Sequence, residues 1–357
     1  MYLICLLVIV VFATIFLSKQ LNSKKAFLVV AAIVLILYAG LRTPSYSGDV
    51  ESYVNKFNTY KLFSFNEIIN LYSANTKNPS FHFLGWLFSR VFDSAQLWLA
   101  FIGAVYVICT IHVIFKESES PLLSVIVLLA LGYFAFTLSG LRQSMAMSFT
   151  MLAYFPAKNR KIFKFVLLVL IASLFHLSAL IFLLVYPFAN KKLGWSHFIV
   201  GCVAFVAFFF FQGQIRRIIA NLLEDSYLGG YADRYVTITM SGLIIQVAIF
   251  IFNLFYYKKV INKNGKAKIL YNLAFFGIIF QLFASMIAEM FRISMYFSVF
   301  NILLIPLSLS VENNKKIKNV LSILIYATLF VYMFRDGIPD YTFFWQWGIN
   351  EIFMLLR

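Results

Sequence analysis

Apolar runs long enough to cross a lipid bilayer follow one another almost from end to end of this 357-residue chain. A membrane-spanning helix needs roughly 20 mostly apolar residues. Hydrophobic residues make up 62% of the chain and charged residues only 12%, so a soluble protein of this length could not bury its apolar surface. The sequence therefore predicts an all-α, polytopic transmembrane helical bundle of about 10–12 helices.

Ten full spans can be drawn, with boundaries good to a few residues. They cover residues 2–17, 26–41, 97–115, 121–138, 141–157, 197–212, 241–257, 268–288, 293–311 and 319–334. The first run lacks the basic region that opens a cleaved signal peptide, so it is predicted to stay as a helix. The whole chain, residues 1–357, is interpreted as a single integral membrane domain.

The lysines lie in short connectors between these apolar runs. They are Lys19, Lys24, Lys25, Lys158, Lys161, Lys164, Lys191, Lys192, Lys258, Lys259, Lys263, Lys266, Lys268, Lys315, Lys316 and Lys318. Such connectors are typical of cytoplasmic loops, which places loops 42–96 and 213–240 and the tail 335–357 outside. This pattern also explains the net charge of +16 without nucleic acid as a partner, because no long basic tail is present.

Two stretches of the chain do not fit the pattern of a helix that crosses the membrane once. Residues 163–189 are apolar but have lysines on both flanks, which favours a re-entrant or tilted hairpin with its turn near His176. Residues 79–92 are interpreted as an interfacial or re-entrant helix on the outer side. Ordinary crossing helices remain an alternative for both.

Arginine, unlike lysine, falls mainly on the predicted outer side or at outer helix ends. These residues are Arg42, Arg142, Arg216, Arg217, Arg234, Arg292 and Arg335. Ionisable groups at membrane depth are costly and mark function by default, and the guanidinium fork suits phosphate. An outer arginine cluster therefore suggests a phosphate or pyrophosphate headgroup. The alternative is snorkelling to lipid headgroups, and Arg142 and Arg292 are the two for which function is favoured.

Other candidates accompany the arginines. His176 either donates to a phosphate or shuttles a proton, or it is a satisfied core residue. Asp49 could act as a general base on a sugar hydroxyl, orient an acceptor, or pair with Arg42, whereas Glu51 reads as a solvated turn residue. Glu289, three residues before Arg292, is interpreted as its ion-pair partner.

The loop 213–240 combines carboxylates with aromatic residues, among them Asp233-Arg234-Tyr235. This combination suits carbohydrate, and it equally suits an interfacial aromatic belt. No nucleotide-binding, hydrolase or metal motif stands out, and the three cysteines are isolated in apolar runs. The sequence thus predicts no cofactor and no metal.

Short motifs in the first half of the chain resemble the EpsG-like polysaccharide proteins, which are counted among the Wzy-type O-antigen and capsule polymerases. Gly40-Leu41-Arg42 with Gly48-Asp49 and Tyr53 resembles their opening signature. Gly140-Leu141-Arg142-Gln143 resembles their central Arg-Gln motif, and the Phe175-His176 segment follows in the same order. In the second half only the types of residue are similar, at Asp233-Arg234-Tyr235 and from Glu289 to Arg292.

The resemblance implies a GT-C-type glycosyltransferase in the bacterial cytoplasmic membrane, acting on its outer face. Such enzymes transfer a glycan from undecaprenyl pyrophosphate to the end of a lipid-linked repeat unit. By that analogy Arg142, His176 and Arg292 hold the pyrophosphate, Asp49 is the acceptor base, and Arg42 positions it or the donor. Gln143, Arg234, Tyr235 and Glu289 complete the expected substrate site, and a flippase and a chain-length regulator are conceivable partners beside the lipid bilayer.

Three other functions share some of these features. A ligase or another lipid-phosphate glycosyltransferase would use the same cations with a different acceptor. A transporter or flippase would show repeated halves with matching broken helices, and no convincing inverted repeat is found. An acyltransferase would use His176 as its base.

Overall fold

The computed structural model of this chain describes residues 8–10, 12, 22–73, 78–211, 214, 240–284, 290–335 and 341–346. The α-helices are α1 Asn22–Gly40, α2 Gly48–Tyr60, α3 Phe65–Ser73, α4 Pro79–Ser89, α5 Ala95–Glu117, α6 Pro121–Ala130, α7 Tyr133–Thr137, α8 Leu141–Lys158, α9 Ile162–Phe175, α10 Val185–Phe188, α11 Trp195–Phe210, α12 Ser241–Lys263, α13 Lys268–Ala284, α14 Met290–Ser298, α15 Asn301–Ser310 and α16 Lys315–Met333. Short 3₁₀ helices cover Pro44–Tyr46, Leu177–Leu184, Gly265–Ala267 and Phe344–Gln346. Within these ranges no strand forms, and the predicted all-α class is confirmed.

Four described helices are long and apolar enough to span a membrane: α5, α12, α13 together with its preceding 3₁₀ turn, and α16. The pair α14 and α15, bent by 41°, makes a fifth if it counts as one broken span. The chain is therefore a polytopic membrane protein, in agreement with the prediction.

Among the described residues, fewer continuous spans are present than the ten runs drawn from the sequence. The run 121–138 is divided between α6 and α7 by Gly132, whose φ of 75° ends the helix, a conformation that glycine adopts at little cost. The run 293–311 bends where α14 meets α15. Hydropathy does not register such breaks because the apolar run continues through them. Most of the run 2–17 lies outside the described residues.

The segment predicted as a hairpin does turn back on itself. α9 ends at Phe175, and the returning 3₁₀ helix and α10 bring Tyr186 back beside the start of the segment. The Tyr186 hydroxyl donates to the carbonyl of Arg160 over 2.9 Å, and the rings of Phe165 and Tyr186 lie 5.3 Å apart. His176 stands at the apex. α4, with 11 residues, is about 16 Å long, too short to cross a bilayer.

One end of the bundle gathers the lysine-rich connectors, and we call it the lysine end. Here Lys158 pairs with Glu117, Lys259 with Glu312 at 3.5 Å, and Lys263 with Glu119 at 3.7 Å. α8, which ends at Lys158, has 18 residues and is about 27 Å long. Its first turn therefore lies at the opposite end, which we call the arginine end.

A separate hydrophobic cluster at the arginine end holds two short helices onto the bundle. Val50, Val54 and Phe57 of α2 and Phe81 of α4 are buried against Trp98 of α5, in a cluster that also takes in Leu99, Ile102, Leu141 and Met145. The Phe57 and Trp98 rings stack at 6.1 Å. This packing fixes α2 over the first turn of α8.

Candidate functional site

Arg142 is the second residue of α8 and lies two residues after the N-cap Gly140. A helix N-terminus carries partial positive charge and exposed N–H groups, so the helix does not stabilise the positive charge of Arg142. The helix N-terminus and the guanidinium both favour binding of an anion. Arg142 Nε donates to the hydroxyl of Tyr53 over 2.9 Å, and its guanidinium lies 5.7 Å from the centre of that ring. The tyrosine orients the guanidinium, which has no counter-ion among the described residues.

α2 presents one polar face towards this arginine. Asp49, Tyr53, Lys56 and Tyr60 recur at the spacing of one helix face, beside the buried apolar stripe of the same helix. Asp49 is exposed and lies in the first turn of α2. Both Asp49 and Arg142 act electrostatically on Lys56. The structure thus places Asp49 on the same polar face as the tyrosine that holds Arg142.

The electrostatics of this face follow from burial and from Arg142. Partial burial lowers the pKa of Lys56, the Arg142 charge lowers it further, and Asp49 raises it. Burial raises the pKa of Tyr60 to about 12, with a smaller opposing effect of Arg142 and a further increase from Tyr53. The Tyr60 hydroxyl is paired with His82 Nδ1 at 2.7 Å. A second cation, Lys56, therefore stands beside Arg142 on the accessible side of α2.

Gln143, 3% exposed, joins α8 to α14. Its Nε2 donates to the backbone carbonyl of Arg292 over 2.6 Å. Two buried atoms at this junction, Gln143 Oε1 and Arg292 Nε, have no hydrogen-bond partner among the described residues. Two residues joined by a hydrogen bond thus each keep bonding capacity to spare, an acceptor on Gln143 and a charged donor on Arg292, which a polar ligand could use.

His176 completes the group at the apex of the hairpin. Its electrostatic neighbours include the guanidinium groups of Arg142 and Arg292. The stacking of Phe175 on Phe149 of α8, with ring centres 5.5 Å apart, seats the apex against the helix that carries Arg142. The structure therefore brings together Arg142, Gln143, His176 and Arg292, four of the predicted site residues.

The charges of this group contrast with those of the lysine end. Within the described part of the chain, no carboxylate lies within ion-pairing distance of Arg142 or Arg292. Fixed guanidinium groups near a helix N-terminus can hold a dianionic group such as phosphate through charge-assisted hydrogen bonds. The arrangement suits the binding of a phosphate or pyrophosphate ester.

Arg42 has a different setting from the one expected. It is 1% exposed, and its Nη1 donates to the carbonyl of Ala39 at the end of α1. Gln96 Nε2 donates to the Arg42 carbonyl over 2.9 Å, and Arg42 forms an antiparallel bridge with Phe343. These contacts are those of a buried residue that caps a helix C-terminus and fastens the segment 341–346.

Three predicted site residues lie outside the described residues: Arg234, Tyr235 and Glu289. Arg216 and Arg217 of the same outer loop do so too. The predicted ion pair of Glu289 with Arg292 and the carbohydrate contacts of the loop 213–240 stay predictions.

Several neighbours of the site were not singled out from the sequence. Lys56 had a local signal, because it follows Asp49 and Tyr53 at helical spacing. Ser178 and Tyr296 had none, since the residues that meet are 118 positions apart. Asn78 also had none: it adopts a left-handed conformation with φ of 56°, and its Oδ1 accepts from the Leu177 backbone N–H at the hairpin apex over 3.3 Å.

Comparison with known protein families identifies a match over most of the chain. The sequence profile described as the EpsG family matches residues 25–345, which takes in both halves of the chain and every described residue of the site. No curated protein and no solved structure matches the chain significantly.

Proposed function

Because the chain belongs to the EpsG family, we propose that it is a GT-C-type polysaccharide polymerase. It transfers a glycan from an undecaprenyl-pyrophosphate donor to a lipid-linked repeat-unit acceptor. The reaction takes place at the arginine end of the bundle, which faces the outside of the bacterial cytoplasmic membrane. The family suggests a membrane protein of polysaccharide assembly, and the donor, the acceptor and the orientation are our proposal.

One observation carries this proposal: Arg142 and Arg292 converge with His176 near one end of the bundle, without a carboxylate partner among the described residues. Cations at membrane depth are costly when they lack a partner. In the described part of the chain, three lysines of the lysine end have carboxylate partners and these two arginines have none, an arrangement that suits an anionic ligand. Lipid pyrophosphate supplies that anion at the membrane interface.

In the proposed reaction an acceptor hydroxyl oxygen attacks the anomeric carbon of the donor glycan. A new glycosidic C–O bond forms as the C–O bond to the pyrophosphate breaks, and lipid pyrophosphate leaves with the electron pair. Negative charge grows on the phosphate oxygens, where Arg142, Arg292 and His176 stabilise it. The donor supplies its own driving force, so the reaction needs neither a nucleotide nor an ion gradient.

The polar face of α2 receives the acceptor in this proposal. Asp49, exposed at the start of α2, takes the proton from the attacking hydroxyl. Lys56, one turn beyond Tyr53, adds positive charge next to Arg142. The carboxylate for the nucleophile thus comes from α2 and the Arg142 cation for the leaving group from α8, and one hydrophobic cluster packs these two helices together.

The test is a reconstituted assay. Purified protein in liposomes receives undecaprenyl-pyrophosphate repeat units, and the products are sized on a gel with and without EDTA. We expect the wild type to build a ladder of repeat units in either condition, and His176→Ala and Arg292→Ala to lose it.

Arg90→Ala is the matched control, because Arg90 stacks on Trp86 at 4.9 Å and donates to the carbonyl of Phe63. It should keep the ladder. A single transfer would indicate a ligase-like glycosyltransferase instead of a polymerase. Intact substrate moved across the bilayer would indicate a flippase and overturn the proposal.

A further inference from the structure

The His176 ring is held from one side by a chain of two hydroxyl groups. His176 Nδ1 lies 2.6 Å from Ser178 Oγ, and Ser178 Oγ lies 3.2 Å from the hydroxyl of Tyr296. Tyr296 is 0% exposed and belongs to α14, the helix that carries Arg292. The chain therefore runs from the buried interior to one nitrogen of the ring.

The positions of the protons follow from the partners of each group. Within the described part of the chain, Ser178 Oγ is the one hydrogen-bond partner of the Tyr296 hydroxyl. A buried hydroxyl proton needs an acceptor, so Tyr296 donates to Ser178. Ser178 then has its own proton to give, and Nδ1 of His176 accepts it. A neutral imidazole with an accepting Nδ1 carries its proton on Nε2.

The reverse arrangement leaves a group unsatisfied. If Nδ1 carried the proton and donated to Ser178, Tyr296 could still donate to Ser178 Oγ, because a hydroxyl oxygen accepts two hydrogen bonds. The Ser178 proton would then have no acceptor among the described residues. Donors without partners are rare inside native proteins, so the first arrangement, in which all three groups are paired, is favoured.

The backbone around the ring is fixed as well. The Leu177 N–H is bound by Asn78 Oδ1 from the start of α4, and the His176 N–H is bound by the Ala172 carbonyl over 3.1 Å. The ring is therefore held in one orientation, and its remaining nitrogen, Nε2, has no hydrogen-bond partner among the described residues.

We propose that His176 acts as a neutral hydrogen-bond donor, through Nε2–H, to a phosphate oxygen of the leaving group, and that Ser178 and Tyr296 are positioning residues that keep it in this tautomer. This inference rests on the proposed function for the identity of the phosphate. It excludes His176 as a general base, because the nitrogen that meets the substrate already carries a proton.

The tautomer can be measured without any turnover. The full-length protein, labelled with ¹⁵N-histidine, is reconstituted in lipid bilayers, and the His176 signal is identified among the four histidines by its absence from His176→Gln. We expect Nδ1 to be unprotonated and Nε2 protonated. A protonated Nδ1 with a bare Nε2 would overturn the inference.

Substitutions give a second readout. The side-chain nitrogen of glutamine reaches close to the Nε2 position, whereas that of asparagine reaches only to Nδ1. His176→Gln should retain ladder synthesis within about tenfold of wild type, and His176→Asn should lose about a hundredfold, in the range of a hydrogen bond to a charged group. Equal inactivity of both variants, in folded protein, would contradict a donor role.

Tyr296→Phe tests the positioning residue. It should mix the two tautomers in the ¹⁵N spectrum and slow transfer about threefold to tenfold. Tyr133→Phe is the matched control: it also removes a buried tyrosine hydroxyl, one that donates to the carbonyl of Ser298 over 2.7 Å, and it should leave the His176 signal unchanged. An unchanged signal in Tyr296→Phe would overturn the positioning role.

The two proposals can fail separately. A protonated Nε2 in a protein that builds no ladder would keep the tautomer and remove the polymerase. A protonated Nδ1 in a protein that builds a ladder would keep the polymerase and remove the donor role of His176.

Discussion

The tripeptide Gly-Leu-Arg occurs twice, at residues 40–42 and 140–142, and the two copies have opposite structural roles. The first copy ends α1, where Arg42 is buried and donates to the carbonyl of Ala39. The second copy begins α8, where Arg142 faces the N–H end of the helix and binds the Tyr53 hydroxyl. A helix C-terminus offers carbonyl acceptors to an arginine, whereas an N-terminus offers none. The direction of the helix thus separates an arginine that caps a helix C-terminus from one that we propose binds the ligand.

The largest effect is expected at the second copy. Arg142→Ala should lower the rate of ladder synthesis by about 10²–10³-fold, because a fixed donor to the developing phosphate charge is lost. Thermal unfolding of the purified protein should change little, since Arg142 has no ion-pair partner among the described residues. The comparison would be wrong if Arg142→Ala lost activity only through unfolding.

At the first copy we expect the opposite result, a loss of stability as the main effect of the substitution. Arg42→Ala should destabilise the protein by about 2–3 kcal/mol, since it removes a buried charged donor from the end of α1. Unfolding measured by intrinsic fluorescence in detergent reports this loss directly. Unchanged stability together with lost activity would place Arg42 in the catalytic site and end the contrast between the copies.

The glycines of the two copies sharpen the comparison. A Cβ at Gly40 would come within 2.8 Å of the Ala100 Cβ on α5, where two helix backbones meet, whereas a Cβ at Gly140 would meet the ring of Phe136. A ring at the end of a side chain can move more easily than a helix. Gly40→Ala should therefore destabilise by about 1–2 kcal/mol, and Gly140→Ala by less, in the same unfolding assay. An equal loss in both would show that the helix crossing adapts.

The smallest effect concerns the charge beside Arg142. The pKa of Lys56 is lowered from its ordinary value of 10.5, first by partial burial and then by Arg142. As the pH rises, Lys56 therefore loses its proton and its positive charge before pH 10.5 is reached. The rate of transfer should fall as the pH rises through this lowered pKa. The decrease should be about twofold to fivefold, as exposed charges give. Lys56→Arg, whose charge persists, should keep a flat profile, and a decrease in that variant would assign the titration to another group.

Much of the fold could be predicted from the chain alone. Run length identifies spanning helices because bilayer thickness sets it, and lysines on both flanks of 163–189 were enough to predict a hairpin. The divisions at Gly132 and between α14 and α15 could not be predicted in this way, because a left-handed glycine and a bend leave the hydropathy of the run unchanged.

The site divides along similar lines. Arg142, His176 and Arg292 could be proposed from the sequence because ionisable residues are conspicuous among apolar ones, and the structure brings them together. Tyr296 and Asn78 were not, because each acts through a contact between distant parts of the chain. Arg42 and Arg142 end identical Gly-Leu-Arg tripeptides. Only the direction of the adjacent helix, which the folded chain shows, distinguishes the two arginines.

The crossing of α1 and α5 limits the routes by which the proposed lipid-linked substrates can reach the site. A Cβ added at Gly103 would come within 2.6 Å of the Ala39 Cβ, the counterpart of the contact between Gly40 and Ala100. Reciprocal contacts of small residues let two helix backbones approach closely, and no polyprenyl chain passes between them there. In the proposed reaction, the lipid-linked donor and acceptor therefore reach the arginine end from a side other than this helix crossing.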